Sequence, residues 1–159
     1  MSMEIVQRAA AQVVGIAARI DPTKADYGEL WGKRFAPREE EVRSLTGAQG
    51  CCGIYYGTGE PGQVDFVAGM LDTRPSQAAA GGAVALANDL VRREVPGGQY
   101  AHFRCTLATI GSTWHRIYGQ ELPGSDYAED EGRPCLEEYP PDARGPDTPV
   151  SIYVPIRPK

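Results

Sequence analysis

The chain has no basic run. Its 16 Lys and Arg are outnumbered by 21 Asp and Glu, for a formal net charge of −5. Nucleic-acid binding draws most of its non-specific affinity from phosphate neutralisation by a dense Lys/Arg face. Direct contact with DNA or RNA is therefore disfavoured, and a cationic ligand suits the charge balance better. Histidine is scarce: only His102 and His115 are present, far apart. The four cysteines, Cys51, Cys52, Cys105 and Cys135, include no pair at the two-residue spacing of a zinc knuckle. They read as free thiols, and neither a metal nor a cofactor is expected. Long apolar runs are missing as well. The stretches at 12–18 and 78–87 are too short or too small-sided to span a bilayer. The N-terminus lacks the basic start and apolar run of a secretory signal. A cytoplasmic protein with no membrane partner is the expectation. What remains is ordinary globular composition, 42% hydrophobic and 23% charged over 159 residues. That is one domain with enough chain for a core.

Punctuation and periodicity divide the chain into two similar halves. Residues 12–20 (QVVGIAARI) read as a strand stopped by Asp21-Pro22. Over 25–45, apolar residues at Tyr27, Leu30, Trp31, Phe35, Val42 and Leu45 have helical spacing, interrupted by Pro37. Residues 51–57 (CCGIYYG) and 64–71 (VDFVAGML) are strands around the turn-rich TGEPG. A Gly/Ala-rich connector at 75–87 leads to an extended 88–95, ahead of Pro96. The order then repeats. Residues 98–105 (GQYAHFRC) form a strand, and 106–120 a helix with Leu107, Ile110, Trp114, Ile117 and Tyr118 on one face. A polar loop covers 123–133, and strands follow at 134–139 (PCLEEY) and 150–157 (VSIYVPIR). The expected fold is α+β: two strand–helix–strand–strand modules, about 10–75 and 90–159, related by a pseudo-two-fold axis around a central ligand cleft. Matching aromatic pairs on the helices, Trp31 with Phe35 and Trp114 with Tyr118, carry the echo.

The segment PCLEEY carries the chemistry. Strand alternation puts Cys135, Glu137 and Tyr139 on one face, with Leu136 and Glu138 on the other. Leu136 is expected to point to the helices. Tyr153, on the face opposite Ile152, Val154 and Ile156, is expected beside Glu137. If this face lines a cavity, it offers a carboxylate among aromatic walls. Aromatic faces attract cations, and a weakly solvated carboxylate gains by pairing with a delocalised one. The plainer alternative is a solvent-facing sheet with Glu137 in water.

Six segments together resemble the gyrase-inhibitor-like superfamily, which includes the effector-binding domains of bacterial AraC- and MerR-type multidrug regulators. They are ELWGKRF at 29–35, FVAGM at 66–70, GGQYA at 97–101, LPGSDY at 122–127, and the closing pair PCLEEY and IYVPI. The likeness covers about 12–157. It implies two modules around a cleft that binds lipophilic, often cationic compounds. It places the family's pocket carboxylate at Glu137, with aromatics at Tyr139, Tyr153, Phe66, Trp31 and Trp114. Tyr55 and Tyr100 complete the candidate ligand-binding set. Departures from the pattern are Leu136 for Phe, Glu121 where a Trp often precedes Leu-Pro, and Ser125-Asp126 for Ser-Gly. The ligand-domain text fills the chain, so no helix-turn-helix domain is expected.

Three functions follow. One is a stand-alone binder or sensor of lipophilic cations. Another is a hydrolase of strained cyclopropane-bearing toxins, with Glu137 as general base and Tyr139 or Tyr153 donating to the developing anion. The last is a protein-binding inhibitor of a partner such as gyrase.

Overall fold

The computed structural model describes residues 3–74, 84–86 and 89–159. Among the described residues, ten strands form one antiparallel sheet: β1 (Glu4–Arg8), β2 (Ala11–Ile20), β3 (Cys51–Gly57), β4 (Val64–Asp72), β5 (Val84–Ala85), β6 (Leu90–Val95), β7 (Gly98–Thr106), β8 (Tyr127–Glu129), β9 (Cys135–Tyr139) and β10 (Pro149–Pro158). Their order is β1-β7-β10-β9-β3-β4-β2-β6-β5, with β8 beside β10. Read outward from the β9–β3 pair, the order is mirrored: β9, β10 and β7 of the second half on one side, β3, β4 and β2 of the first half on the other, the two strands after the helix and then the one before it in each case. In that central pair, Gly53 lies opposite Glu137, Tyr55 opposite Cys135 and Cys51 opposite Tyr139.

Two helical segments cover one face. The first starts where the Asp26 carboxylate accepts a hydrogen bond from the Glu29 amide at 3.0 Å, a side-chain N-cap. It runs through α1 (Tyr27–Glu29), a π-helical stretch Leu30–Phe35, a 3-10 turn Ala36–Arg38 and α2 (Glu39–Thr46). Pro37 does not break it, because it sits in the first positions of that 3-10 turn, where a missing N–H costs nothing. Gly47, at φ 70°, ends it in the left-handed conformation, and its amide bonds to the Arg43 carbonyl at 2.8 Å. The second begins with a capping box between Thr106 and Thr109. It continues through Leu107–Thr109, α3 (Ile110–Arg116) and a second π-helical stretch, Ile117–Glu121. The first π-helical stretch includes Trp31 and Phe35, and the second includes Tyr118.

The sheet buries both faces. On the helix side, Leu30, Phe35 and Val42 pack on Val14, Ile16, Phe66, Ala68, Met70 and Leu90. Ile117 and Leu122 pack on Ala101, Phe103, Cys135, Ile152, Val154 and Ile156. The far side gathers Val13, Cys52, Ile54, Tyr56, Val67, Val95, Tyr100 and Leu136. Leu136 therefore points away from the helices, which corrects the expectation. At the Gly15–Gly69 pair in β2 and β4 the backbones approach closely. A Cβ on Gly15 would lie 2.1 Å from the Ala68 carbonyl oxygen, so no other residue fits.

Most expected segments form within a residue or two of the expected ends. Three elements were not expected. The short β5, inside the expected connector, pairs with β6. Strand β1 pairs with β7 at the sheet edge, and β8 interrupts the polar loop at 123–133. Of the Gly/Ala-rich stretch at 75–87, only 84–86 lie among the described residues. Among those residues no helix is long and apolar enough to cross a membrane.

Candidate functional site

Between the two helices and the central strands lies a cavity of about 1400 Å³. Its walls are aromatic: Tyr27, Trp31 and Phe35 from the first helix, Trp114 and Tyr118 from the second, Tyr55 from β3 and Tyr139 from β9. Alternation along β3 and β9 turns Cys51, Gly53, Tyr55, Cys135, Glu137 and Tyr139 toward it. The rings meet mostly edge to face. Trp31 lies 5.6 Å from Tyr139, and Tyr55 lies 6.1 Å from Trp114. Trp114 and Tyr118 stack at 5.9 Å with nearly parallel planes.

Glu137 lines the cavity and is only 3% exposed. Three neutral groups donate to its carboxylate. The Tyr55 and Tyr139 hydroxyls share Oε1, the former at 3.2 Å, and Trp114 Nε1 donates to Oε2 at 2.6 Å. The Tyr55 and Tyr139 donors come from matching places in β3 and β9, one on each side of the Gly53–Glu137 pair. Burial raises the Glu137 carboxyl pKa above the usual carboxylate value, against these three hydrogen bonds, which favour the charged form. Burial and the neighbouring carboxylate also raise the Tyr55 and Tyr139 hydroxyls, so both stay protonated donors at neutral pH.

Phe66 lies behind the lining rings and supports the cavity floor from beneath. It is fully buried, 4.9 Å from the Tyr55 ring and 5.6 Å from the Tyr27 ring. Gly53 makes room for it. A Cβ there would come within 2.8 Å of the Phe66 ring edge and 3.7 Å of the Glu137 carboxylate. The small residue opposite the carboxylate is what allows an aromatic ring and a buried acid to share the centre of the sheet.

Of the sequence-derived candidates, Glu137, Tyr139, Tyr55, Trp31 and Trp114 converge on the cavity, with Phe66 beneath. Tyr153 and Tyr100 do not join them. In the β9–β10 register Glu137 faces Ile152, while Tyr153 faces Leu136 on the far side. There the Tyr153 ring stacks on His102 at 4.5 Å and lies under the Arg8 guanidinium. Tyr100 is fully buried, and its hydroxyl donates to the Pro96 carbonyl at 2.7 Å. Tyr27, Tyr118 and Gly53 were not among the candidates. Tyr27 is signalled by its four-residue spacing from Trp31, and Tyr118 by the same spacing from Trp114. Gly53 has no sequence signal beyond its place in CCGIYYG.

The thiols at the cavity are poor nucleophiles. Burial pushes Cys51 up to about 11, and Cys135 is raised by the same cause with Glu129 adding to it. Among the described residues no group of three or more His, Cys, Asp or Glu is placed to hold a metal ion.

Comparison with known proteins gives a consistent picture. Residues 1–157 match the model of the GyrI-like small molecule binding domain. No curated protein matches the chain. The fold is shared with the structure of SAV2435 bound to tetraphenylphosphonium, at 14% identity and a TM-score of 0.71, covering 99% of this chain and 94% of that one. It is shared with EcmrR in a complex with DNA, at 11% identity and a TM-score of 0.63; the match covers 99% of this chain and 58% of that one. It is also shared with a hydrolase encoded by lin2189 from Listeria innocua, at 9% identity and a TM-score of 0.57, covering 98% and 92%.

Proposed function

We propose that this chain, which belongs to the family of GyrI-like small-molecule-binding domains, binds lipophilic cations in its aromatic cavity with Glu137 as counter-charge. One observation carries the reading: a carboxylate 3% exposed whose three hydrogen-bond partners are all neutral. Burying a charge without a counter-ion costs several kcal/mol per ion. Three donors offset part of that cost, and a cation entering the cavity removes more of it. The edge-to-face walls suit a ligand that is apolar and positive at once, because each ring offers both dispersion area and a negative face. The structure of SAV2435 with tetraphenylphosphonium is consistent with such a ligand here. The breadth of such walls suits several unrelated compounds, the behaviour of a multidrug binder or sensor. A pseudo-two-fold relation between the two halves is part of the proposal, supported by the mirrored strand order. Free cysteines and a cytoplasmic setting fit together, and the net charge of −5 argues against direct DNA contact.

A hydrolase reading has one observation in its favour, a carboxylate with a raised pKa next to two tyrosine hydroxyls. Those same hydroxyls and Trp114 occupy three of the roughly four acceptor positions on the carboxylate. Little capacity is left to hold a water in line with a reacting carbon, so binding is the better-supported function. Inhibition through a protein partner has less support. Among the described residues only Ile5 and Tyr118 are large exposed hydrophobics, and Tyr118 lines the cavity.

The test is a crystal of the protein with tetraphenylphosphonium. Ligand density between Trp31 and Trp114, with phosphorus closest to Glu137, supports the reading. Density elsewhere, or none at saturating ligand with micromolar binding absent in solution, refutes it.

A further inference from the structure

The cavity holds a second acidic position. Beyond Glu137 its lining includes Glu39, Glu60, Glu129 and Glu131 against one guanidinium, Arg133. Arg133 is committed to Asp130 at 3.0 Å and to the Gln99 and Ile156 carbonyls. Glu39 is paired with Arg43 at 3.0 Å. Glu129 is placed differently. It lies opposite Ile156 in the β8–β10 pair, so it shares the cavity face of the sheet. It is half-buried, and its Oε2 accepts from the Cys135 thiol at 3.5 Å. Glu137 faces Ile152 and Glu129 faces Ile156, four residues further along β10, so the backbones of the two acids are about 13 Å apart, and the Glu129 carboxylate reaches back to Cys135 between them. The wall between them is continuous. Trp114 bonds to Glu137 and stacks on Tyr118, and the Tyr118 hydroxyl sits 3.7 Å from the Cys135 sulfur.

We infer that the Glu129 end of the cavity is a subsite for a second positive head, and that the preferred ligands are elongated dications with an aromatic spacer. This rests on the reading of Glu137 as the first cation's partner. A single lipophilic cation leaves much of the space unused, since a cavity of about 1400 Å³ exceeds the roughly 300–1,000 Å³ of common ligand pockets. A spacer one benzene ring long lies along the Trp114–Tyr118 stack, with one charge at the buried acid and the other at the half-buried one. Glu129 is nearer water than Glu137, so its attraction is screened more and the second head gains less than the first.

The experiment compares two ligands that differ in one charge. Both are benzyltriphenylphosphonium. One carries a para trimethylammoniomethyl group, the other the neutral neopentyl group of the same shape. Calorimetry should show the dication binding about tenfold tighter to the native protein. In Glu129→Gln that advantage should vanish, with the neopentyl compound unaffected. In Glu137→Gln both compounds should weaken while the advantage persists. Equal affinities for the native protein, or an advantage that survives Glu129→Gln, overturns the second subsite. Failure of the neopentyl monocation to respond to Glu137→Gln overturns the parent reading instead, so the two failures are distinct.

Discussion

Cation affinity should depend on pH through Glu137. Burial raises this carboxyl, so the native protein holds its proton at a pH where an unfolded chain has released it. Two consequences have opposite signs. Without ligand, the native state binds more protons than the unfolded state across that interval. The contribution to stability is then fully present below the ordinary carboxylate value and is lost as pH rises through the raised one. With a cation bound, the ionised form is favoured, so affinity rises with pH over the same interval and binding expels a proton. Below the native pKa, each pH unit should cost about tenfold in affinity, about 1.4 kcal/mol. The cavity is also lined by Glu39, Glu60, Glu129, Glu131 and His115, which the native protein and the variant share. Glu137→Gln removes only the central acid. The assay is titration calorimetry of tetraphenylphosphonium at a series of pH values, in two buffers of different ionisation enthalpy, on both proteins. The native protein should lose affinity on acidification and release a proton on binding throughout the pH range in which that loss occurs. The variant should have a flatter profile. Identical profiles for the two proteins would refute the argument that a raised Glu137 carboxyl is the cation's partner.

Two further outcomes follow from the packing. Asp72 accepts from Arg74 and Arg92, and these bonds hold its carboxyl well below the usual range. Asp72→Asn should lower stability by about 2–3 kcal/mol at neutral pH in urea melts, since charge-assisted bonds to a buried group are lost. Because the native pKa is depressed, the difference should shrink as pH falls below about 4; a deficit constant with pH would contradict the linkage. Gly53→Ala should cost about 1–3 kcal/mol, because its Cβ would press on the packed Phe66 ring. It should also weaken tetraphenylphosphonium binding by displacing that floor, and unchanged stability with unchanged affinity would show that the floor gives way freely.

Much of the strand and helix layout was legible in the sequence, because the signals were local. Asp21-Pro22, TGEPG and Pro96 mark breaks, and aromatics three and four residues apart mark helix faces. The pairing Cys135–Glu137–Tyr139 also followed from alternation alone. Alternation does not say which face of a strand meets the helices, and here it misled. Tyr153 and Leu136 were assigned to the wrong sides, because the decisive fact is the β9–β10 register, a contact between residues far apart in sequence. Edge strand β1 was missed for a similar reason. EIVQR is short and mixed in polarity, and it is held by pairing with β7 across nearly a hundred residues. Gly53 and Glu129 acquire their roles only when β3 meets β9 and β8 meets β10. No local pattern distinguishes either from an ordinary strand glycine or a surface glutamate.

The most direct measurement is the loss of affinity on Glu137→Gln for tetraphenylphosphonium beside that for neutral triphenylphosphine oxide. The phosphonium should lose about 1–3 kcal/mol, or about 5- to 150-fold, and the oxide much less. Equal losses would mean that the variant disturbs the cavity's shape and that Glu137 is not the counter-charge.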